Sequence, residues 1–173
     1  MKKKNVKKIR KLKCEALYEV NLISMEYEQI IEKTKKEEKS SIFEGLEWIS
    51  DEDLKDLYIK RKDRKYAALT IELYALVEQL LKDIYSECND GKEYKKEDNV
   101  NTILDLQEKL KDYIEFDKNT NTKLLADLRN YIIHDTFSLK HARKKWGIKK
   151  KNKELFHSLL DTVKKYINNM IVK

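Results

Sequence analysis

Apolar residues recur every three or four positions along most of the chain, a spacing typical of amphipathic helices. In the first segment, residues 6–33, apolar or small side chains occupy positions 9, 12, 16, 20, 23, 27 and 30. The polar segment 33–41 follows and ends this pattern. The spacing predicts one long N-terminal helix with a single apolar face.

The second predicted helix opens at Ser50, after a short apolar segment at 42–49. Three acidic residues follow this serine, an arrangement typical of a helix N-cap. Residues 65–87 form the most apolar segment of the chain, with apolar side chains nearly all round. A helix of that kind is buried on most sides, so we expect it at the centre of a bundle.

Two polar segments, 89–101 and 117–122, are rich in Asn, Asp and Thr and predict loops. The amphipathic segment 102–116 between them predicts a helix, and another helix begins near Lys123.

The final predicted helix begins near Asn152, and its apolar stripe continues to Ile171. No alternating pattern of strand type persists for long. The sequence therefore predicts an all-α bundle of about five to six helices with short connections.

Composition agrees with this fold class, because the chain has no proline and only three glycines. Its 173 residues suit one domain, for which we expect a helical extension at 1–60 and a core at 65–171. Cys14 and Cys88 are too far apart in sequence to match a metal motif, so we expect reduced thiols and no metal or other cofactor.

The basic N-terminus is not followed by the apolar segment of a signal peptide, and no stretch has the length of a membrane span. We therefore expect a soluble, cytoplasmic protein without a membrane partner.

The net charge of +7 is concentrated in two basic segments. Residues 1–13 and residues 139–153 each contain eight Lys or Arg and no acid, whereas the rest of the chain carries 22 basic and 31 acidic residues. This distribution favours a polyanionic partner such as RNA. The alternative is that these lysines are solvated and only maintain solubility.

The segment 128–135, LRNYIIHD, joins Arg129, Asn130 and His134 on the penultimate long helix of the predicted bundle. Histidine titrates near neutral pH and can take the proton of a ribose 2′-hydroxyl. Arginine grips phosphate through two parallel hydrogen bonds and can stabilise the charge that develops during cleavage. Asn130 could orient either group. These three residues are therefore candidates for RNA cleavage without a metal.

Helix geometry restricts how they could meet. Asn130 and His134 share one face of an α-helix, whereas Arg129 and His134 lie roughly 140° apart on an ideal helix. Three arrangements remain open: Arg129 reaches around the helix, the helix ends near Ile133, or the two residues meet across a dimer.

The RNYIIH segment at 129–134 resembles the Arg-x4-His signature of the HEPN superfamily, and the resemblance covers about residues 65–171. It implies a bundle of four to five helices and a homodimer in which two copies of the motif line one cleft. Many members are metal-independent endoribonucleases of toxin–antitoxin, abortive-infection and CRISPR-linked defence systems, and others are not catalytic.

The same resemblance implies RNA as a partner, and an antitoxin or another defence protein as a second one. It implies that Arg129 binds phosphate, that His134 is the general acid and base, and that the product ends in a 2′,3′-cyclic phosphate and a 5′-hydroxyl. Some members carry a modified tyrosine two residues after the histidine. Position 136 is Thr136 here, so the resemblance does not extend to that modification.

Glu78 is a further candidate for the catalytic set, because it lies in an otherwise apolar or aromatic row on the central helix. A carboxylate in such a row needs a partner, and Arg129 is one option. The alternative is that Glu78 is exposed beside Gln79 and Lys82.

The basic segment after the motif contains the candidate RNA-binding residues. They combine positive charge with aromatic surface for stacking: Lys140, His141, Arg143, Lys144, Lys145 and Trp146.

Several plainer interpretations remain open. Arg129 could pair with Asp127 or Asp135, and His134 could simply be a histidine at a helix end. The chain could be a non-catalytic helical module that binds RNA, a nucleotide or a protein. A DNA-binding repressor is less favoured, because no segment shows the tight glycine-bearing turn of a helix-turn-helix.

Overall fold

The computed structural model describes residues 3–37, 50–95, 101–117, 120 and 122–173. Six α-helices occupy most of these residues and form the expected all-α bundle, although the apolar spacing did not predict the short helix α5 in the basic segment. Their bounds are α1 Lys3–Glu37, α2 Asp51–Cys88, α3 Thr102–Leu110, α4 Lys123–Tyr131, α5 Leu139–Lys145 and α6 Asn152–Asn169. The predicted apolar segment at 42–49 lies outside the described residues.

The long helix α2 is the centre of the bundle, because α1, α3, α4, α5 and α6 all pack against it. Its second half is buried on most sides, as the apolar composition of 65–87 predicts. The Ser50 side chain accepts a hydrogen bond from the Asp53 backbone N–H, which confirms the predicted N-cap. The helix runs without a break across residues 60–65, between the predicted extension and the predicted core.

Helix α1 packs on α2 and α6 through one face, and that face belongs to the same hydrophobic core as the rest of the bundle. Tyr27 of α1 lies within 6.1 Å of the Tyr66 ring and 5.2 Å of the Phe156 ring, measured between ring centroids. The Tyr27 hydroxyl donates to the Lys153 carbonyl oxygen at 3.1 Å. Aromatic contacts therefore join the first, second and last helices.

Two short strands replace the ends of two predicted helices. Helix α3 stops at Leu110 instead of continuing to 116, and α6 stops at Asn169. Strands β1 (Ile114–Glu115) and β2 (Ile171–Val172) then pair in antiparallel fashion, with Ile114 opposite Val172. The strand pairing satisfies backbone groups that a helix would otherwise bond locally, and it brings the end of the chain back to the turn after α3.

Among the described residues, no helix combines the length and the apolar character that crossing a membrane requires.

Candidate functional site

The candidate motif lies where α4 changes into a wider turn. The α-helix ends at Tyr131, and residues Ile132–Thr136 form a π-helical turn. The Phe137 backbone N–H closes this turn on the Ile132 carbonyl oxygen at 3.0 Å. Single π turns are rare in proteins, and those that occur often lie at functional sites.

The turn changes the angle between Arg129 and His134. A π turn spans i to i+5, so each residue rotates the chain by less than the 100° of an α-helix. The two side chains are therefore closer in angle than the roughly 140° of an ideal helix. The α-helical part ends at Tyr131, two residues before the helix end near Ile133 that was one of the three arrangements considered from sequence.

Phe137 ends the turn in a strained conformation. Its φ is 46° and its ψ is 45°, in the left-handed region that non-glycine residues rarely occupy. This conformation costs about 1–2 kcal/mol for a residue with a Cβ atom. Phe137 and Ile133 expose large apolar side chains on either side of the exposed His134. The strain and the exposed apolar surface both lie at the motif.

Arg129 lies against the aromatic face of Tyr74 on α2. Its guanidinium carbon is 5.0 Å from the centroid of the Tyr74 ring, a cation–π contact. Its Nη1 donates a hydrogen bond of 3.0 Å to Oδ1 of Asn130. Asn130 therefore contacts the arginine, whereas the role predicted for it in orienting the site stays a prediction.

The structure gives Arg129 no carboxylate partner within its described residues. None of the described acidic side chains forms an ion pair with it. Its Nε–H is buried and has no hydrogen-bond acceptor among the described residues. Asp135, one of the two partners considered from sequence, instead accepts a hydrogen bond from Tyr131, which raises the pKa of the Tyr131 phenol.

The predicted pairing of Glu78 with Arg129 is not seen among the described residues, and both side chains contact Tyr74 instead. Glu78 Oε1 accepts a 2.5 Å hydrogen bond from Lys82 Nζ, and Glu78 also bonds the Tyr74 side chain. Burial raises the pKa of Tyr74 to about 12, and the Glu78 charge adds to this effect while Arg129 opposes it. The sequence did not single out Tyr74, although it stands one helical turn before Glu78 on the same face.

The candidate RNA-binding residues divide into two groups. The side chains of Lys140, His141, Lys144, Lys145 and Trp146 are exposed on α5 and the turn after it. Arg143 is half-buried: its Nε donates to Asn152 Oδ1 at 3.0 Å and its Nη1 to the Ile148 carbonyl oxygen at 3.3 Å. Arg143 therefore holds the connection between α5 and α6.

Asp63 of α2 fixes this basic segment to the bundle. Its carboxylate accepts hydrogen bonds from the Ser138 hydroxyl, from the Lys140 backbone N–H at 2.8 Å and from Asn152 Nδ2 at 2.6 Å. The Ser138 oxygen in turn caps α5 by accepting from the His141 backbone N–H at 3.0 Å. One carboxylate thus positions the starts of both α5 and α6. Sequence reasoning missed Asp63, which lies 75 residues before Ser138.

No protein-family model, curated protein or solved structure matches this chain. Within the described part of the chain, no three His, Cys, Asp or Glu side chains cluster in a way that could hold a metal ion.

Proposed function

We propose that the protein is a metal-independent endoribonuclease of the HEPN type, acting in the cytoplasm as a toxin or an anti-phage effector. The observation that carries this proposal is a half-buried arginine that has no carboxylate partner among the described residues and stands five residues before an exposed histidine on the π turn. A partly buried guanidinium usually has an acidic partner, so this one is available to the phosphate of a bound RNA.

In the proposed reaction, His134 takes the proton from a ribose 2′-hydroxyl, and the 2′-oxygen attacks the adjacent phosphorus. The bond from phosphorus to the 5′-oxygen breaks, and that oxygen receives a proton from a histidine acting as general acid. Arg129 stabilises the negative charge on the phosphate oxygens in the transition state. The products are a 2′,3′-cyclic phosphate and a 5′-hydroxyl.

A dimer would supply both proton-transfer groups, because one His134 can act as the base and the second as the acid. Ile133 and Phe137 favour such an arrangement, since exposed apolar side chains next to a motif are typical of an interface. We therefore propose a homodimer whose cleft contains two copies of the motif. Lys140, His141, Lys144, Lys145 and Trp146 would draw RNA towards it.

One observation favours a second candidate, a non-catalytic module that binds RNA, a nucleotide or a protein partner such as an antitoxin. Among the described residues, no side chain orients the His134 imidazole by a hydrogen bond. A catalytic base is usually held by such a group. If the protein is an endoribonuclease, the second copy in the dimer must supply a hydrogen-bond partner for His134. A non-catalytic binding module needs no such partner.

The deciding experiment is cleavage of total RNA and a tRNA pool in EDTA, with the wild type, His134→Ala and the control His157→Ala. His157 is exposed on α6 beside Asp161, at 3.5 Å, and has no place in the proposed site. Cleavage by the wild type and by His157→Ala, lost in His134→Ala, would support the endoribonuclease. RNA binding without cleavage by any variant would favour the module. Equal cleavage by all three would contradict the site.

A further inference from the structure

Arg129 lies against an aromatic ring whose position depends on three helices. Tyr74 of α2 is buried, and its hydroxyl forms hydrogen bonds with Glu78, one turn further along α2, and with Thr102 at the start of α3. A carboxylate only accepts, so the hydroxyl donates to Glu78 and accepts from Thr102. The guanidinium of Arg129 on α4 lies over the ring, 5.0 Å from its centroid. Hydrogen bonds therefore hold Tyr74 at its hydroxyl, and its ring face contacts the arginine.

An aromatic ring and a carboxylate stabilise a half-buried arginine in different ways. A carboxylate accepts hydrogen bonds from the same N–H groups that bind a phosphate. A ring attracts the cation through the negative charge of its face and leaves those N–H groups without a strong acceptor. Among the described residues, the guanidinium of Arg129 donates one hydrogen bond, from Nη1 to Asn130, and its buried Nε–H has no acceptor. Tyr74 therefore stabilises the positive charge of Arg129 without occupying its donors.

We infer that Tyr74 is a positioning residue of the candidate site, and that its ring face holds the Arg129 guanidinium in place for the phosphate of a bound RNA. The inference rests on the proposed function, because it takes RNA phosphate as the ligand of Arg129. Tyr74 is buried and acts through the arginine, without touching the substrate itself. Glu78 and Thr102 act one step further away, because they hold the ring.

The alternative is that Tyr74 only fills space between the helices. Replacing it by a small residue would not separate the two roles, because a cavity in the core would also destabilise the fold. The attraction between a cation and a ring depends on the electron density of the ring face, whereas packing depends on shape. Fluorine atoms withdraw that electron density and change the shape of the ring little. Fluorination at position 74 therefore tests the positioning role while the packing is kept.

The first test is single-turnover cleavage of a defined RNA in EDTA by the full chain. Tyr74→Phe keeps an aromatic face and should cleave within about threefold of the wild-type rate. Tyr74→trifluorophenylalanine should cleave roughly threefold to tenfold more slowly than Tyr74→Phe. Phe156→trifluorophenylalanine is the matched control and should match the wild type, because Phe156 packs against the rings of Tyr27 and Tyr66. Equal rates for the two variants at position 74 would overturn the inference.

The second test shows whether the effect of the ring passes through Arg129. Tyr74→Phe and Tyr74→trifluorophenylalanine are each combined with Arg129→Ala, which gives a double-mutant cycle. Without the guanidinium, the fluorinated ring has no cation to lose, so the two combined variants should cleave at the same residual rate. If fluorination still slows cleavage in the Arg129→Ala chain, the ring acts through packing and the inference is overturned.

A binding measurement separates failure of this inference from failure of the proposed function. If the wild type does not cleave RNA, the proposed endoribonuclease is contradicted, and the same variants are compared for affinity. The probe is the same RNA with 2′-O-methyl riboses, which have no 2′-hydroxyl to attack the phosphate. A roughly threefold to tenfold loss of affinity on fluorination, seen only in chains that keep Arg129, would support the positioning role of Tyr74. Equal affinities in all variants, or no binding by any of them, would overturn it.

Discussion

Arg129 and Arg143 are both half-buried arginines near the same end of the bundle, yet their surroundings differ. Arg143 donates to Asn152 and to the Ile148 carbonyl oxygen, so its hydrogen bonds hold two helices together. Arg129 contacts the Tyr74 ring and Asn130, and none of the described carboxylates pairs with it. The difference lies in the Nε–H groups: that of Arg143 donates to Asn152, whereas that of Arg129 is buried and has no acceptor among the described residues. A donor without a protein partner distinguishes an arginine that a ligand could bind from one whose hydrogen bonds serve the fold.

The largest effect expected from this difference is on RNA cleavage. Arg129→Ala should lower kcat/KM about 10²–10³-fold, because the charge that develops on the phosphate loses its stabilising partner. Single-turnover cleavage of a defined RNA would measure it. Arg61→Ala, an exposed arginine on α2 outside the site, is the control and should cleave at the wild-type rate. A loss below about threefold in Arg129→Ala would contradict the proposed role.

The next effect concerns the stability of the region around Arg143. Asp63→Ala should lower the free energy of unfolding by about 2–3 kcal/mol, because three donors on Ser138, Lys140 and Asn152 lose a charged acceptor. Urea denaturation at neutral pH would measure the change. Asp56→Ala is the matched control on the exposed side of the same helix and should change stability little. If both variants unfold alike, Asp63 does not hold α5 and α6.

Most helices of the bundle could be predicted from sequence, because the signals that mark a helix are local. Helices begin close to Ser50, Lys123 and Asn152, as predicted. The Ser50 cap identifies the first start, and the apolar spacing identifies all three. The ends of α3 and α6 were predicted too late, because β1 and β2 pair residues 114 and 172, which are distant in sequence. Pairing of that kind leaves no periodic pattern in either segment.

The geometry of the candidate site was less predictable than the identity of its residues. Arg129, Asn130 and His134 stand out by residue type, whereas the π turn has no signature in the apolar spacing. Asp135, considered from sequence as a partner of Arg129, instead bonds Tyr131. The role of Asp63 depends on contacts across 75 residues or more. The surroundings of Arg129 and the contacts of Asp63 depend on tertiary structure, so local sequence patterns do not reveal them.

The next effect concerns Tyr74, the ring on which Arg129 lies. Its pKa is raised from about 10 to about 12 in the folded protein. The unfolded chain therefore loses this proton first, and the stability contributed below pH 10 is lost as the pH rises to 12. Tyr74→Phe removes this titration, so its free energy of unfolding should fall less steeply than that of the wild type, by about 1.4 kcal/mol per pH unit.

Urea denaturation at several pH values between 10 and 12 would measure both slopes. Tyr66→Phe provides the matched comparison, because burial also raises the pKa of Tyr66 to about 12 while Tyr66 lies away from the motif in the aromatic cluster with Tyr27 and Phe156. It should reduce the slope by a similar amount. If Tyr74→Phe follows the wild type, Tyr74 titrates alike in the folded and unfolded chains.

The smallest expected effect is on the salt dependence of RNA binding, in which Arg143 can be compared with its neighbour Lys144. Lys144 is exposed, so Lys144→Ala should reduce the salt dependence of binding to single-stranded RNA by about 0.7 in the slope of log K against log salt. Arg143→Ala should reduce that slope by less, because its guanidinium already bonds Asn152 and the Ile148 carbonyl oxygen. Binding isotherms at several salt concentrations would give both slopes. A larger reduction for Arg143→Ala would mean that RNA competes for these hydrogen bonds, and the distinction between the two arginines would then fail.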